Sequence, residues 1–247
     1  MNRQTLQRIN HYVNENIDLF HDRRLEKIRE LKLSEILKRK NPYLFKAKNV
    51  ASASELVFSI IEATLYASEE GLFGKFFEGL AIYVAELTCG GQKSIATGID
   101  LELTRDGIRY LVAIKSGQNW GNSSQHQSLR TNFKNAVKVI KQERRVTAVQ
   151  PVLGICYGKF RTIDNGIYLK IGGQSFWHFI SGDQYFYRDL IEPVGYNARK
   201  HNENFLEEKA NAHNRLTREF SIDFCDTNGA IDWTNLVQFN SGNLAPD

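Results

Sequence analysis

Cysteine is scarce in this 247-residue chain: Cys89, Cys156 and Cys225 stand far apart and are odd in number. No Cys-x-x-Cys pair and no Cys/His spacing suited to a metal occurs, which argues against structural zinc and against a disulfide framework. Reduced thiols in a cytoplasmic setting are the expectation. Long apolar runs are missing as well. No stretch reaches the roughly 18 apolar residues of a membrane-spanning helix, and Met1-Asn2-Arg3-Gln4-Thr5 offers no apolar signal-peptide region. Glycine-rich phosphate loops are absent: Gly71 and Gly74, like Gly90-Gly91, fit neither the P-loop nor the dinucleotide fingerprint. No nucleotide cofactor is therefore expected. Val112-Ala113-Ile114-Lys115 matches the kinase lysine strand, but no glycine-rich loop precedes it and neither H-R-D nor D-F-G follows, which excludes a kinase.

What is present is apolar substance and unevenly spread charge. Hydrophobic residues make up 42% of the chain, enough for one large domain or a core with a helical appendage. The net charge is only +4, yet residues 1–48 hold 12 Lys/Arg against 6 Asp/Glu, and residues 109–161 hold 10 against the single acid Glu143. Residues 180–247 reverse the balance, with 6 against 11. Ordinary surfaces intersperse both signs, so the basic block at 109–161 reads as an electrostatic footprint for a polyanion.

The pattern along the chain alternates between helical and extended signals. Residues 2–40 read as helical, with Leu25, Ile28, Leu31, Ile36 and Leu37 forming an apolar stripe that Lys38-Arg39-Lys40 and Asn41-Pro42 close. Residues 42–49 read as a loop packed by its aromatics. Ser52 and Glu55 have capping-box spacing ahead of a helix at 53–67, and a second helix is expected over 73–88 with Glu78 in an otherwise apolar surface. A hairpin follows at 98–115, then a polar loop over 116–124, and a helix at 124–143 with Leu129, Phe133, Val137 and Ile140 inward. Val152–Gly158 reads as a buried strand, and Asn165-Gly166 turns into another at 167–171. Helices are expected at 174–181, 183–191 and 197–220, and the tail 240–247 is expected to fray. Strands alternating with helices indicate a mixed α/β sheet.

The hairpin carries the chemistry. Gly98-Ile99-Asp100-Leu101-Glu102-Leu103 and Tyr110-Leu111-Val112-Ala113-Ile114-Lys115 flank Asp106-Gly107, a strong two-residue turn signal. Pairing Arg105 with Ile108 puts Asp100 opposite Ala113 and Glu102 opposite Leu111, with Lys115 diagonal to Asp100 at roughly 7–8 Å on the same face. Ile99, Leu101, Leu103, Tyr110, Val112 and Ile114 form the apolar face; the other face is expected to be polar. Two readings of Asp100 and Lys115 stand open on spacing alone. One is a surface ion pair worth little. The other is a Mg²⁺ site in which Asp100 and the Ile114 backbone carbonyl ligate the ion while Lys115 acts on water or on phosphate charge.

Asp100, the hairpin and Lys115 together resemble the core of PD-(D/E)xK nucleases, in particular type II restriction endonucleases. The helix with Glu78, the Ser116–Ser124 loop, the basic helix, the Gly154–Gly158 strand and Phe176-Trp177 follow in the order some restriction enzymes show, so the resemblance covers residues 52–182. One position departs from it: the acid expected two residues before the lysine is Ala113. The resemblance implies a restriction-endonuclease-like mixed central sheet flanked by helices, with helical N- and C-terminal additions. It divides the chain into a helical region at 1–50, a nuclease core at 51–182 and a C-terminal helical region at 183–247. It implies a Mg²⁺-dependent, site-specific endonuclease acting on double-stranded DNA as a homodimer in a prokaryotic cytoplasm. Asp100 and Lys115 would be catalytic. Glu78 is the first candidate for the second metal carboxylate, and Glu102 is the second, with a surface pairing to Arg109 or a lysine as the other reading of Glu102. Ser116, Gln118, Asn119, Trp120, Asn122, Ser123, Ser124, Gln125 and Arg130 would touch DNA, with Lys134, Lys138 and Lys141 tracking its backbone; Trp120 could equally anchor the loop. His126 has nothing in the sequence to orient it. A repair or junction-resolving nuclease of the same core and a catalytically silent DNA-binding protein are the alternatives.

Overall fold

The computed structural model describes residues 1–142 and 148–243. In chain order the elements are α1 (Arg3–Arg29), α2 (Leu33–Leu37), α3 (Pro42–Ala47), α4 (Ala53–Cys89), β1 (Gln92–Lys93), β2 (Leu101–Arg105) and β3 (Ile108–Lys115). They continue with α5 (Ser123–Ile140), β4 (Ala148–Ile155), β5 (Ile163–Asp164), β6 (Leu169–Gly172), α6 (Gln174–Ser181), α7 (Phe186–Asp189), α8 (Ile191–Val194), α9 (Ala198–Phe224) and α10 (Trp233–Ser241). The chain divides into two compact units, Met1–Asp18 with Phe73–Tyr196 and Leu19–Leu72 with Asn197–Asp247. Each of the three consecutive segments at 1–50, 51–182 and 183–247 contributes to both units.

The first unit is built on a six-stranded mixed sheet of order β1-β2-β3-β4-β6-β5. Asp106 and Gly107, at φ 51° and 75°, make a turn whose two central residues both take positive φ, the backbone that matches strand twist. The expected register holds, with Arg105 opposite Ile108 and Glu102 opposite Leu111. β3 then pairs in parallel with β4, and β4 with β6. Parallel strands need a crossover, and α5 supplies it between β3 and β4.

That crossover corrects the expectation of one polar sheet face. Leu111 and Ala113 are fully buried, and with Leu153 and Ile155 they pack against Leu129, Phe133, Ala136 and Ile140 of α5. The opposite face is covered by α6 and the later part of α4: Phe77 packs on Trp177, and the Thr88 hydroxyl donates to the Ile180 carbonyl at 2.6 Å. A sheet wound by parallel crossovers is covered on both sides, so polar groups gather at the strand ends. Gly154 faces this second layer, and a Cβ there would lie 2.3 Å from the Phe176 ring.

The second unit is helical. Its core joins Ile28, Leu33 and Ile36 to Leu56, Ile60 and Ile61, and to Leu216 and Phe220 of α9. The Asn240 side-chain amide donates to the Leu37 and Lys40 carbonyls at 2.6 and 3.0 Å, serving groups that a helix end leaves unpaired.

Local expectations failed in four places. Residues 53–89 form one helix rather than two, because Gly71 and Gly74 carry a helix cost of only about 1 kcal/mol each and neither a proline nor a capping residue stops the chain there. Residues 42–47 are helical: Asn41 caps them, accepting from the Leu44 N–H, and Pro42 sits at the first turn where its missing N–H does no harm. The expected helix over 183–191 is two short turns, α7 and α8. Finally, α10 runs to Ser241, so the expected fraying of 240–247 fails at its start, while positions 244–247 and 143–147 lie outside the described residues.

Gly154→Ala is expected to lower the stability of the protein by about 1–3 kcal/mol, since the added methyl must displace the fully buried Phe176 ring. Urea unfolding of the two proteins measures this; an unchanged midpoint would mean that the α6 layer is loosely packed.

Candidate active site

The site forms where β2 begins and β3 ends. Asp100 precedes β2 and its backbone N–H donates to the Val112 carbonyl at 2.9 Å, continuing the ladder. Its side chain reaches further: Asp100 Oδ2 accepts the Ile114 N–H at 2.6 Å. The carboxylate is thus fixed one residue from Lys115. The turn ahead of Asp100 is held by α5, for a Cβ on Gly98 would lie 2.1 Å from Asn132 Nδ2. On the far side of β3, the Cys156 N–H donates to the Lys115 carbonyl at 2.9 Å, so the lysine backbone is held from the β4 side.

Glu78 joins this group from α4. Its carboxyl is pushed above the usual glutamate range, first by burial and then by the charge of Asp100, with Lys115, Lys93 and Lys75 opposing. Two carboxylates and three ammonium groups therefore share one electrostatic neighbourhood. Lys75 and Lys93 escaped the sequence reading. Lys75 lies one turn before Glu78, a spacing that places them on one helix face, whereas Lys93 is brought in by the pairing of β1 with β2. Cys156 completes the surroundings. Burial pushes its thiol up, and Glu78 and Asp100 push it further, so it stays neutral and serves neither as a nucleophile nor as a thiolate ligand.

The other candidate residues are distributed as follows. Glu102 is committed elsewhere: Oε2 accepts from Arg109 at 2.6 Å and Oε1 accepts from the Ser94 hydroxyl at 2.6 Å. Ser116 lies beside Gly74 of α4, where an added Cβ would come within 3.6 Å of its hydroxyl oxygen. Gln118, Asn119, Ser123 and Ser124 are exposed in the loop and first turn of α5. Asn122 and Gln125 form a reciprocal capping box, each side chain accepting the other's backbone N–H at 3.0 Å. Arg130, Lys134 and Lys138 recur every four residues on the exposed side of α5, opposite Leu129, Phe133 and Ala136. Lys115 forms no salt bridge among the described residues; its ammonium lies 5.6 Å from the centroid of Trp120.

A cleft of about 750 Å³ opens beyond the C-terminal ends of β4 and β6, lined in part by Phe77, Cys156, Gly158, Gly172 and Trp177. Ligands of sheets with parallel strands gather at this edge. Among the described residues no three His, Cys, Asp or Glu side chains group to hold a metal ion, so the acids here are the pair Asp100 and Glu78.

The sequence model of the family described as "Type II restriction endonuclease EcoO109I" matches residues 7–202. The chain belongs to this family. No curated protein matches the chain in a direct sequence comparison. The EcoO109I family match covers the charged cluster, the α5 stripe and the cleft alike, and membership makes this protein a type II DNA endonuclease. Enzymes of this class generally use divalent metals. The mixed sheet flanked by helices is the restriction-endonuclease-like fold that the resemblance implied. No described helix is long and apolar enough to cross a membrane.

The raised value of Glu78 has a sign that can be checked. A carboxyl raised on folding is destabilising once ionised, so this contribution is absent in acid and grows as pH rises through the ordinary glutamate value of about 4.3. Glu78→Gln is neutral at every pH. It is expected to raise the Tm of the EDTA-treated protein at neutral pH, and the advantage should vanish in acid, where Glu78 is itself protonated. Thermal unfolding across this range is the measurement; equal Tm values at neutral pH would separate Glu78 from Asp100.

Proposed function

We propose that this EcoO109I-family chain hydrolyses phosphodiester bonds of double-stranded DNA at a short specific site, with Mg²⁺ as cofactor and a homodimer as the working unit. The observation that carries this reading is the half-buried Glu78 within electrostatic reach of Asp100 and Lys115, its carboxyl raised first by burial and then by the Asp100 charge, with Lys115 opposing. Two acids crowded into a partly buried place favour a cation, and a pair of oxygen donors suits a hard one. Asp100 and Glu78, with the Ile114 backbone carbonyl, would hold the Mg²⁺, whose chemistry is to acidify water and to neutralise charge on phosphate. Glu102 stays with Arg109 and Ser94 and is the weaker ligand on this reading.

The remaining roles follow from the chain's own groups. Among the described residues Lys115 keeps its ammonium out of any salt bridge, and it can orient the attacking water or steady the charge that develops on the phosphate. Ser116, Gln118, Asn119, Ser123 and Ser124 can donate to phosphates or read base edges. Arg130, Lys134 and Lys138 would run along the phosphate backbone, while Asn122 and Gln125 hold the helix start that presents them. Homodimer formation is argued from the substrate: a two-fold DNA site needs two active sites related by a two-fold axis. The cytoplasm of a prokaryote is the matching location.

A second reading, a DNA-binding protein without catalysis, is favoured by Ala113 and by the lack of a third acid among the described residues. Plasmid incubated with Mg²⁺ should give discrete fragments, and EDTA should abolish them; tight binding without cleavage would select the second reading. Asp100→Ala and Lys115→Ala are each expected to abolish cleavage while leaving the unfolding transition in place. Full activity in either variant would remove that residue from the site.

Salt dependence tests the α5 stripe. Lys134→Ala and Lys138→Ala should each weaken binding to all duplexes alike and flatten the plot of log affinity against log salt by about one unit of slope. A slope equal to that of the unaltered protein would place α5 away from the DNA.

A further inference from the structure

Lys115 lacks the partner that usually fixes such a residue. Its ammonium makes no salt bridge among the described residues, and a lysine stem is long and freely rotating. What stands against it is an aromatic face, with the Trp120 centroid 5.6 Å from Nζ, within the range of a cation–π contact.

The indole is itself held. The His126 ring lies 4.4 Å from it, centroid to centroid, at an interplanar angle of 60°. His126 sits in the first turn of α5, where its backbone N–H donates to the Asn122 carbonyl at 3.0 Å and the Asn122–Gln125 capping box fixes the turn. Trp120 also packs against the core on the α5 side of the sheet. Yet its indole N–H is buried and finds no acceptor among the described residues. A buried donor without a partner costs free energy, and such a group in a native fold calls for an explanation. The site uses the face of this ring, and the packing that secures the face leaves the N–H stranded.

We propose that Trp120 is a positioning residue, which holds the Lys115 ammonium in one orientation before DNA arrives, and that His126 holds Trp120. The proposal rests on the reading of Lys115 as the ammonium beside the scissile phosphate, and it gives Trp120 a role other than touching DNA. Ordering a flexible catalytic side chain in advance removes that cost from the reaction step. Engaged by Lys115 and His126, with its N–H buried, the ring is ill placed to stack on a base.

The test separates rate from affinity. Single-turnover cleavage with enzyme in excess is measured for Trp120→Phe, Trp120→Leu and His126→Ala, and duplex Kd is measured with calcium replacing magnesium. Phe keeps a π face and removes the stranded N–H, so Trp120→Phe should cleave within a few-fold of the unaltered rate and lose no thermal stability. Trp120→Leu should cleave about 10- to 100-fold more slowly with Kd unchanged, as expected when a catalytic group is slightly misplaced. His126→Ala should show a smaller loss of rate, again with Kd unchanged, and serves if Trp120→Leu does not fold. Loss of affinity in step with rate would make Trp120 a DNA contact and overturn the proposal. So would an unaltered rate in Trp120→Leu. Full activity of Lys115→Ala by itself would overturn the reading of Lys115, and this proposal with it.

Discussion

The hydrogen bond from the Ile114 N–H to Asp100 Oδ2, at 2.6 Å, is the contact from which the site is assembled. β2 starts at Leu101, opposite Val112, so its backbone no longer reaches the last residues of β3. An aspartate side chain takes over the acceptor role there. A backbone donor inside the fold must be satisfied, and satisfying it with a carboxylate ties an acid to the strand that carries Lys115. The same contact fixes the acid's direction, since Ile114 is already held in place by its pairing with Gly154 of β4. The charge-assisted bond is stronger than a backbone pair would be. It also leaves the other carboxylate oxygen of Asp100 available to the charged neighbourhood.

On the proposed reading, Ala113 explains why the second acid comes from a helix. The residue is fully buried, in the layer where Leu111, Leu153 and Ile155 meet α5. A carboxylate at 113 would enter that layer without partners, at a cost of several kcal/mol or with its charge lost. With α5 packed this closely, the strand position is closed to an acid. Glu78 on α4 stands near Asp100 by another route, at the edge rather than inside the sheet. The three lysines around the two acids offset part of their repulsion but not all of it, which is why burial and Asp100 still raise the glutamate.

Much of this was legible in the sequence because it is local. Asp106-Gly107 fixed the turn, the turn fixed the register, and the register brought Asp100 to the end of β3, one residue from Lys115. Ser52 and Glu55 marked a helix start, and the Ser52 hydroxyl does accept the Glu55 N–H at 3.1 Å. What escaped was either non-local or a balance of small terms. Residues 92–93 are too few to show alternation, so β1 and with it Lys93 were invisible. The polar face assigned to the hairpin was wrong because burial of Leu111 and Ala113 depends on where α5 crosses, and that is a property of the parallel pairing. The gap expected between helices at 53–67 and 73–88 is closed, because the 37 residues of α4 absorb both Gly71 and Gly74. The pairing of Glu102 with Arg109, by contrast, was one of the two readings the sequence offered: Arg109 sits diagonally across the hairpin and takes that carboxylate.

Placing the second acid on a helix changes how the site responds to its surroundings. A strand acid two residues from Lys115 would be fixed by the same backbone that fixes the lysine. Glu78 is instead fixed by the packing of α4, where Phe77 meets Trp177 and Trp177 donates its indole N–H to the Cys156 carbonyl at 2.9 Å. Cys156 in turn hydrogen-bonds to the Lys115 carbonyl, so the path from Glu78 to Lys115 runs through one aromatic contact and two hydrogen bonds. The distance between the two acids then depends on the rotation of α4 as well as on the sheet. On the proposed reading, a cation shared by Asp100 and Glu78 would bind most tightly when both are ionised, and it would oppose the burial and the Asp100 charge that raise the Glu78 carboxyl. Cation binding at this pair would then depend on how α4 is seated against Trp177, since that packing sets where Glu78 stands.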